Sequence, residues 1–229
     1  MMNIEERLRN EFNDWARAGR GERMEQGHRA TGEQAIELMG LEASSRVLDL
    51  GCGSGWAARL MAVQATSGQV VGIDISDEMI ALACATSSEY SNVNFQTGSA
   101  QRLDFTNGEF THVFSMESIY YYGDMLAALK EVRRVLAPSG LFVAVVDLYE
   151  ENEPSHQWIA QLKVPVHLLC IKQYHELFEQ AGFVNVVDQR LLDPSPVPDD
   201  YDGGSFASRD DYLKYRQAGS LMMSGNVPV

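Results

Sequence analysis

The sequence predicts an α/β protein built on a doubly wound, mostly parallel sheet, and two observations carry this prediction. Apolar strand patterns and amphipathic helix patterns alternate from Arg46 to Asp147. This order is typical of a parallel sheet with helices on both faces. A glycine-rich turn at residues 51–55 follows the first of these strands, where open α/β sheets place their ligands.

Helical patterns precede the first strand. An amphipathic helix is predicted over residues 3–18 from four apolar residues at helical spacing, Ile4, Leu8, Phe12 and Trp15. Glycines at 19 and 21 predict a break, followed by a short helix over 22–29. Thr31 and Gln34 have the spacing of a capping box, so a third helix is predicted from Thr31 to Met39. We therefore expect a single domain with an N-terminal helical cap, residues 1–40, on a core formed by residues 41–229.

Strands are predicted throughout the core. Five lie in the alternating region, at residues 46–50, 69–73, 92–97, 110–116 and 141–147. A helix is expected over 56–66, and Ser76 is expected to cap the next one. A sixth strand is predicted at 183–192, and residues 193–205 are a predicted surface loop because they are rich in proline, aspartate and glycine. The last apolar run, 220–224, is expected to pair back as an antiparallel edge strand or an inserted strand.

Composition narrows the possible partners. The net charge of −14, from 18 basic and 32 acidic residues, would repel a nucleic-acid backbone, so we expect no nucleic-acid partner. No apolar run approaches the ~18 residues of a membrane span, and the N-terminus lacks the apolar segment of a signal peptide. The three cysteines are far apart, which predicts reduced thiols and a cytoplasmic protein rather than a zinc or disulfide framework.

Two classes of ligand could use the glycine-rich turn. The sequence Gly53-x-Gly55-x-x-Ala58 fits the pattern of dinucleotide-binding turns. However, Asp49 stands in the strand just before the turn, where it would repel a pyrophosphate. An acid at this position favours a ligand with a positive group, such as an ammonium or a sulfonium. Because the turn still matches the dinucleotide pattern, a nicotinamide-dependent oxidoreductase is kept as the alternative.

Residues 47–55, Val-Leu-Asp-Leu-Gly-Cys-Gly-Ser-Gly, resemble the first motif of the class I S-adenosylmethionine-dependent methyltransferases. Residues 72–76 resemble the second-strand acid motif of this family, and residues 131–140 resemble its helix and turn before the fifth strand. The resemblance covers residues 31–192. It implies a seven-stranded Rossmann-like methyltransferase sheet with an antiparallel last strand and an N-terminal helical lid. It also implies S-adenosyl-L-methionine as cofactor and S-adenosyl-L-homocysteine as product.

The resemblance also implies a set of cofactor-binding residues. In the turn, the methionine moiety would lie on the backbone of Gly51, Cys52, Gly53 and Gly55. Asp49 would face its ammonium group, directly or through water, and Asp74 would accept both ribose hydroxyls. Ser99 follows the third strand, where this family usually has an acid that contacts the adenine amine. The other residues predicted to line the cofactor site are Ile75, Met79, Ala100, Gln101 and Met116.

The acceptor is predicted at the end of the fourth strand, where residues 115–122 read Ser-Met-Glu-Ser-Ile-Tyr-Tyr-Tyr. Glu117 could act as a general base or hold a cationic acceptor. Tyr120 and Tyr121 could form an aromatic wall, and His28 lies in the segment expected to close over the cofactor. The stretch lacks the Asn/Asp-Pro-Pro-aromatic and Pro-Cys motifs of nucleic-acid- and protein-modifying relatives, which indicates a small-molecule acceptor.

We therefore predict S-adenosylmethionine-dependent methylation of a small molecule at N, O, S or C. A non-catalytic protein that only binds S-adenosylmethionine is a further alternative. No metal site is predicted, because no spacing of candidate ligands supports one. The sequence leaves both a monomer and a homodimer open.

Overall fold

One mixed sheet forms the centre of the molecule. The structure, a computed structural model, describes residues 3–197, 199–201 and 206–229. Its strands lie in the order β3-β2-β1-β4-β5-β7-β6, numbered along the chain. Their bounds are β1 Arg46–Leu50, β2 Gln69–Asp74, β3 Val93–Thr97, β4 Phe110–Met116, β5 Leu136–Val146, β6 Val184–Leu191 and β7 Ser220–Asn226.

The direction of the strands confirms the predicted fold class. Strands β1 to β5 pair in parallel, whereas β7 runs antiparallel to both β5 and β6. The last strand is thus inserted rather than placed at the edge, which were the two positions that the sequence left open. The inserted position, with a strand on each side, agrees with the burial of residues 220–225.

Seven α-helices of the described residues surround the sheet. They are α1 Ile4–Arg17, α2 Arg20–Leu38, α3 Trp56–Gln64, α4 Asp77–Thr86, α5 Met125–Val135, α6 Ile171–Ala181 and α7 Arg209–Ala218. Short 3-10 helices span Ile119–Tyr121 and Glu153–Gln161. None of the helices in this part of the chain has both the length and the apolar character needed to cross a bilayer.

The sheet separates two hydrophobic cores, as the doubly wound prediction requires. Neighbouring residues of one strand belong to different cores: Val47 belongs to the core that includes residues of α2 and α3, whereas Leu48 belongs to the core that includes residues of α5 and α6. Val70 and Val71 of β2 divide in the same way. This division follows from the alternation of side chains across a strand.

The predicted amphipathic helix is confirmed as α1. It begins with a capping box in which Asn3 and Glu6 bond each other's backbone N–H groups. Its polar face reaches the turn after β2, where Asn13 Oδ1 accepts from the Ser76 hydroxyl at 2.6 Å and Arg9 Nε donates to the Ile75 carbonyl at 3.1 Å. These bonds hold α1 over the carboxyl edge of the sheet.

The predicted capping box at Thr31 is wrong, because α2 is one continuous helix from Arg20 to Leu38. The Thr31 hydroxyl donates instead to the His28 carbonyl at 3.3 Å, within the helix. Residues 22–30 contain no proline to break the helix, and Gly32 lets α2 lie directly against Trp56. The predicted break is confirmed at Gly19, which has φ 66° and directly precedes α2.

Other predicted bounds differ modestly. Strand β5 begins at Leu136 instead of 141, and α3 ends at Gln64 instead of 66. The Ser76 cap is confirmed, since its side chain accepts from the Met79 N–H. The loop predicted for 193–205 lies partly outside the described residues, and the division at residue 40 between cap and core stays a prediction.

Candidate functional site

The three glycines of the turn between β1 and α3 have different surroundings. Gly51, Gly53 and Gly55 all have positive φ angles, of 75°, 51° and 77°. A Cβ atom on Gly51 would overlap the Ser118 side chain, and one on Gly55 would lie 2.6 Å from Cζ of Phe95. A Cβ on Gly53 would have no atom within 4 Å. Gly53 is therefore the glycine whose backbone borders open space.

Asp74 ends β2, and its side chain forms a hydrogen bond with the backbone of the glycine turn. Its Oδ2 atom accepts from the Gly53 N–H at 2.9 Å, and its Oδ1 atom accepts from the Ser76 N–H at 2.8 Å. Burial raises the pKa of this carboxyl, and these backbone bonds oppose the shift. A carboxylate has about four lone-pair sites, so Asp74 keeps capacity to accept from a ligand.

Asp49 is buried in β1, with only 1% of its surface exposed. Burial raises its pKa to about 7, opposed by a backbone hydrogen bond from Ala58 and supported by the charge of Asp74. Its Oδ2 atom has no hydrogen-bond partner among the described residues. The prediction that it binds an ammonium group is compatible with this unpartnered oxygen but stays a prediction.

A cavity lies above the turn, and we call it the glycine-turn cavity. Ten of the predicted cofactor-binding residues line it, namely Gly51, Cys52, Gly53, Asp74, Ile75, Met79, Ser99, Ala100, Gln101 and Met116. Three of the four predicted catalytic residues also line it: His28, Glu117 and Tyr121. Asp49, Gly55 and Tyr120 are outside this lining.

The N-terminal helices, which the resemblance predicted as a lid, supply part of the wall. Residues of α1 and α2 line the same cavity, namely Glu5, Leu8, Phe12, Trp15, Gly21 and Met24. The apolar stripe of α1 was predicted to pack on the core, and the stripe gives no sign that it also borders a cavity. Glu5 accepts a hydrogen bond from the Ser99 hydroxyl and lies 3.4 Å from Nε2 of Gln101. The helix thus brings a carboxylate to the end of β3.

Three ionisable side chains meet, one from α2 and one from the residue that directly follows each of β4 and β5. They are His28, Glu117 and Asp147, and all three are buried. Nδ1 of His28 lies 3.1 Å from Oδ2 of Asp147, and the Tyr215 hydroxyl donates to the same oxygen at 2.5 Å. Glu117 accepts from the Asp147 backbone N–H and, at 2.7 Å, from the Tyr120 hydroxyl.

The charges of this cluster follow from its contacts. Burial alone would lower the pKa of His28, but the bond to Asp147 and the charges of Asp147 and Glu117 outweigh it and raise the pKa to about 9. Burial raises the pKa of Asp147, and the contact with His28 reverses this to a net decrease. His28 and Asp147 therefore form a charged pair at neutral pH.

Glu117 combines a raised side-chain pKa with a strained backbone conformation. Burial, together with the charge of Asp147, raises its pKa to about 7. Its backbone has φ 52°, in the left-handed region, and its N–H donates to the Val145 carbonyl at 2.9 Å. Such strain is typical of functional sites. The group is fixed in position and can gain or lose a proton near neutral pH.

The same three side chains are the one group in the described ranges whose ligand atoms, all within 4.8 Å, could hold a metal ion. The pairing of His28 with Asp147 already balances one carboxylate without a cation. The expectation of no metal site stays a prediction.

A second cavity, of about 390 Å³, adjoins the first. We call it the aromatic cavity because eight of its lining residues are aromatic: Trp15, Tyr120, Tyr121, Trp158, Tyr201, Phe206, Tyr212 and Tyr215. The two cavities share Trp15, Met24, His28, Glu117 and Tyr121. Two members of the ionisable cluster, His28 and Glu117, therefore lie at their boundary.

Sequence reasoning identified only part of the ionisable cluster and of the tyrosines around it. It singled out His28, Glu117, Tyr120 and Tyr121 but missed Asp147 and Tyr215. Asp147 offered a usable signal, because it follows the fifth strand directly, as Asp74 ends the second. Tyr215 offered none, since it lies 68 residues from its partner Asp147.

Comparison with known proteins gives concordant results. A family model described as a methyltransferase domain matches residues 47–140. Demethylmenaquinone methyltransferase of Staphylococcus aureus (strain JH9) is 25% identical over 185 residues, which cover 69% of this chain and 76% of that protein.

Two solved structures show the extent of the likeness. A chain in the complex that contains the Haloferax volcanii Trm112 methyltransferase activator is 33% identical, with a TM-score of 0.87, and the match covers 96% of this chain and 98% of that one. An S-adenosylmethionine-dependent methyltransferase of Mesorhizobium loti is 18% identical, with a TM-score of 0.64 and coverage of 84% and 96%. The second likeness concerns the fold alone.

Proposed function

Because the chain belongs to the class I S-adenosylmethionine-dependent methyltransferases, we propose that it methylates a small molecule bound in the aromatic cavity. S-Adenosylmethionine is the methyl donor of this family, and its sulfonium makes the methyl group reactive toward in-line displacement. The observation that carries the proposal is the contact between the two cavities at Glu117, His28 and Tyr121. A donor in one cavity and an acceptor in the other would meet there.

The residues of the glycine-turn cavity fit the donor. Gly53 has open space where a side chain would otherwise stand, so a ligand can approach its backbone. Asp74 keeps lone pairs for hydroxyl donors. The Glu5 carboxylate lies beside Ser99 and Gln101, where it can accept from an amine. These groups suit the amino-acid, ribose and adenine portions of S-adenosylmethionine.

The boundary residues can position and deprotonate an acceptor. Methyl transfer depends mainly on alignment and on the exclusion of water, and the buried side chains of His28, Glu117 and Tyr121, where the two cavities meet, serve this end. Glu117 is suited to take a proton because its pKa of about 7 matches neutral conditions. The charged pair of His28 and Asp147 fixes the imidazole beside Glu117. The S. aureus relative is named for a small-molecule acceptor, demethylmenaquinone, which supports an acceptor of this kind.

The proposal is tested in two steps. Titration calorimetry with S-adenosylmethionine and S-adenosylhomocysteine measures binding of the donor and its product. Incubation with a methyl-labelled donor and a metabolite extract, followed by mass spectrometry, then identifies the labelled product. Absence of binding would contradict the donor assignment. If the donor binds but neither a labelled product nor S-adenosylhomocysteine forms, the result would favour a protein that binds the donor without transferring its methyl group.

A second candidate is methylation of a macromolecule in complex with a protein activator. It is favoured by the relative that is 33% identical and occurs with a Trm112 methyltransferase activator. Purified Trm112 protein from the same organism, mixed with this chain, would form a 1:1 complex in light scattering after size exclusion. If the label then enters protein or RNA but no metabolite, this second candidate replaces the first.

A further inference from the structure

The aromatic cavity contains a cation for which the described part of the chain supplies no acidic partner. Arg20, the first residue of α2, lines this cavity but not the glycine-turn cavity. Its guanidinium carbon lies 3.9 Å from the ring centroid of Trp15. Arg20 forms no hydrogen bond or ion pair with any of residues 3–197, 199–201 and 206–229. Its planar set of N–H donors is therefore available to a ligand.

The other charges that line this cavity are paired. Arg216 lies 3.3 Å from the Asp193 carboxylate and donates to two backbone carbonyls. His28 is paired with Asp147 at 3.1 Å. Glu117 accepts hydrogen bonds through both carboxylate oxygens. Among the described residues, a ligand in the cavity thus meets one unpaired cation, Arg20, and one carboxylate, Glu117, placed to accept a proton.

The aromatic walls of the cavity favour a ligand whose flat, apolar part lies between Arg20 and Glu117. Tyr120 and Tyr121 lie with ring centroids 4.5 Å apart, and Trp158 contacts Tyr215 edge-on at 5.4 Å. Aromatic walls of this kind gain most from contact with another ring. The volume of about 390 Å³ exceeds that of a single small ion and admits a fused two-ring molecule.

We propose that the acceptor is a planar aromatic hydroxy acid, whose carboxylate pairs with Arg20 and whose hydroxyl faces Glu117. This inference rests on the proposed function and specifies its substrate. In the transfer, the O–H bond breaks and its proton passes to the Glu117 carboxylate. The oxygen forms the O–CH₃ bond while the S–CH₃ bond breaks, and the electron pair of that bond stays on sulfur. Glu117 then releases the proton to solvent.

Three naphthalene probes test the charge preference by calorimetry on protein saturated with S-adenosylhomocysteine. 6-Hydroxy-2-naphthoate is anionic, 2-naphthol is neutral, and 6-(aminomethyl)-2-naphthol is cationic. We expect the anionic probe to bind at least tenfold more tightly than the neutral one, because a charge-assisted pair with a guanidinium is strong. The cationic probe should bind most weakly.

Variants of α2 assign the preference to one residue. Arg20→Met should abolish the advantage of the naphthoate, and Arg20→Lys should retain part of it, since lysine keeps the charge but not the planar donor geometry. Arg23→Met is the matched control, because Arg23 is exposed on the same helix and, within the described ranges, bonds only the Ala18 carbonyl. It should keep the full preference.

Two results would overturn the inference. Equal affinity for the naphthoate and the naphthol would exclude recognition of an anion, and tightest binding of the cationic probe would reverse it. Should Arg20→Met not fold, as judged by thermal melting, Arg20→Lys carries the comparison. Either failure is distinguishable from failure of the proposed function, because binding of S-adenosylhomocysteine and labelling of a metabolite are measured separately.

Discussion

Alanine substitutions at Gly53 and Gly55 would separate a glycine that borders a ligand from one that permits packing. Both residues have φ angles in the left-handed region, 51° and 77°. A side chain there costs about 1–2 kcal/mol. At Gly53 the added methyl group meets no atom within 4 Å, so this strain is the whole expected loss in the free energy of unfolding.

At Gly55 the methyl group also meets the protein interior. It would lie 2.6 Å from Cζ of Phe95 and 3.1 Å from Cβ of Ala83. Overpacking adds about 1–3 kcal/mol, so Gly55→Ala should lose about 2–5 kcal/mol in total. Phe95→Leu in the same chain should restore part of this loss, because it removes the ring atom nearest to the new methyl group.

The effects on cofactor binding should have the opposite order. Gly53 lines the glycine-turn cavity, so its new methyl group would occupy space needed for close approach of the ligand. We expect Gly53→Ala to weaken S-adenosylhomocysteine binding at least tenfold, about 1.4 kcal/mol. Gly55→Ala, which does not border that cavity, should change affinity by less than about threefold while folded.

Urea unfolding followed by tryptophan fluorescence measures the stabilities, and calorimetry measures the affinities. Two observations would refute the reasoning. One is a Gly53→Ala variant that binds S-adenosylhomocysteine as the wild type does. The other is a Gly55→Ala variant that is as stable as Gly53→Ala.

Three further substitutions test individual side chains. Asp74→Ala should weaken S-adenosylmethionine binding at least tenfold, about 1.4 kcal/mol, and unchanged affinity in calorimetry would remove its assigned role. Glu5→Gln should weaken the same binding several-fold by removing the carboxylate beside Ser99, whereas Glu22→Gln, exposed on α2, should not; equal losses would contradict a specific contact. Glu117 has a folded pKa raised from 4.5 to about 7, so the folded state binds more protons than the unfolded state between these values and its contribution to stability falls as pH rises through them. Glu117→Gln should therefore lessen the decline in unfolding free energy between pH 4.5 and 7 in denaturant titrations, and an unchanged slope would disprove the shift.

Errors in the predicted fold occurred where one local pattern fits two structures. Thr31 and Gln34 have the spacing of a helix start, and the same spacing occurs inside α2, where the Thr31 hydroxyl bonds the His28 carbonyl. Packing of Gly32 against Trp56 favours the continuous helix, and no residue near Thr31 reveals it. The position of β7 between β5 and β6 was open for a similar reason, because an apolar run can pair at either place.

The glycine turn and its flanking acids were within reach of the sequence by itself. Asp49, Gly53 and Asp74 belong to one strand–turn–helix–strand unit, and Asp74 bonds the Gly53 N–H directly. A turn of this kind is encoded by neighbouring residues, since positive φ angles require glycine and strand ends place side chains at the sheet edge. The sequence therefore determined the fold class and the donor.

The surroundings of the acceptor depend on contacts between distant parts of the chain. Glu117 bonds the backbone of Asp147, 30 residues away, and Tyr215 bonds Asp147 from 68 residues away. These contacts exist because β5 lies beside β4 and the segment carrying α7 returns to the same edge of the sheet. Only the tertiary structure could place Arg20, Glu117 and the aromatic walls around one cavity, because the order of strands, and not the local pattern, decides which side chains meet there.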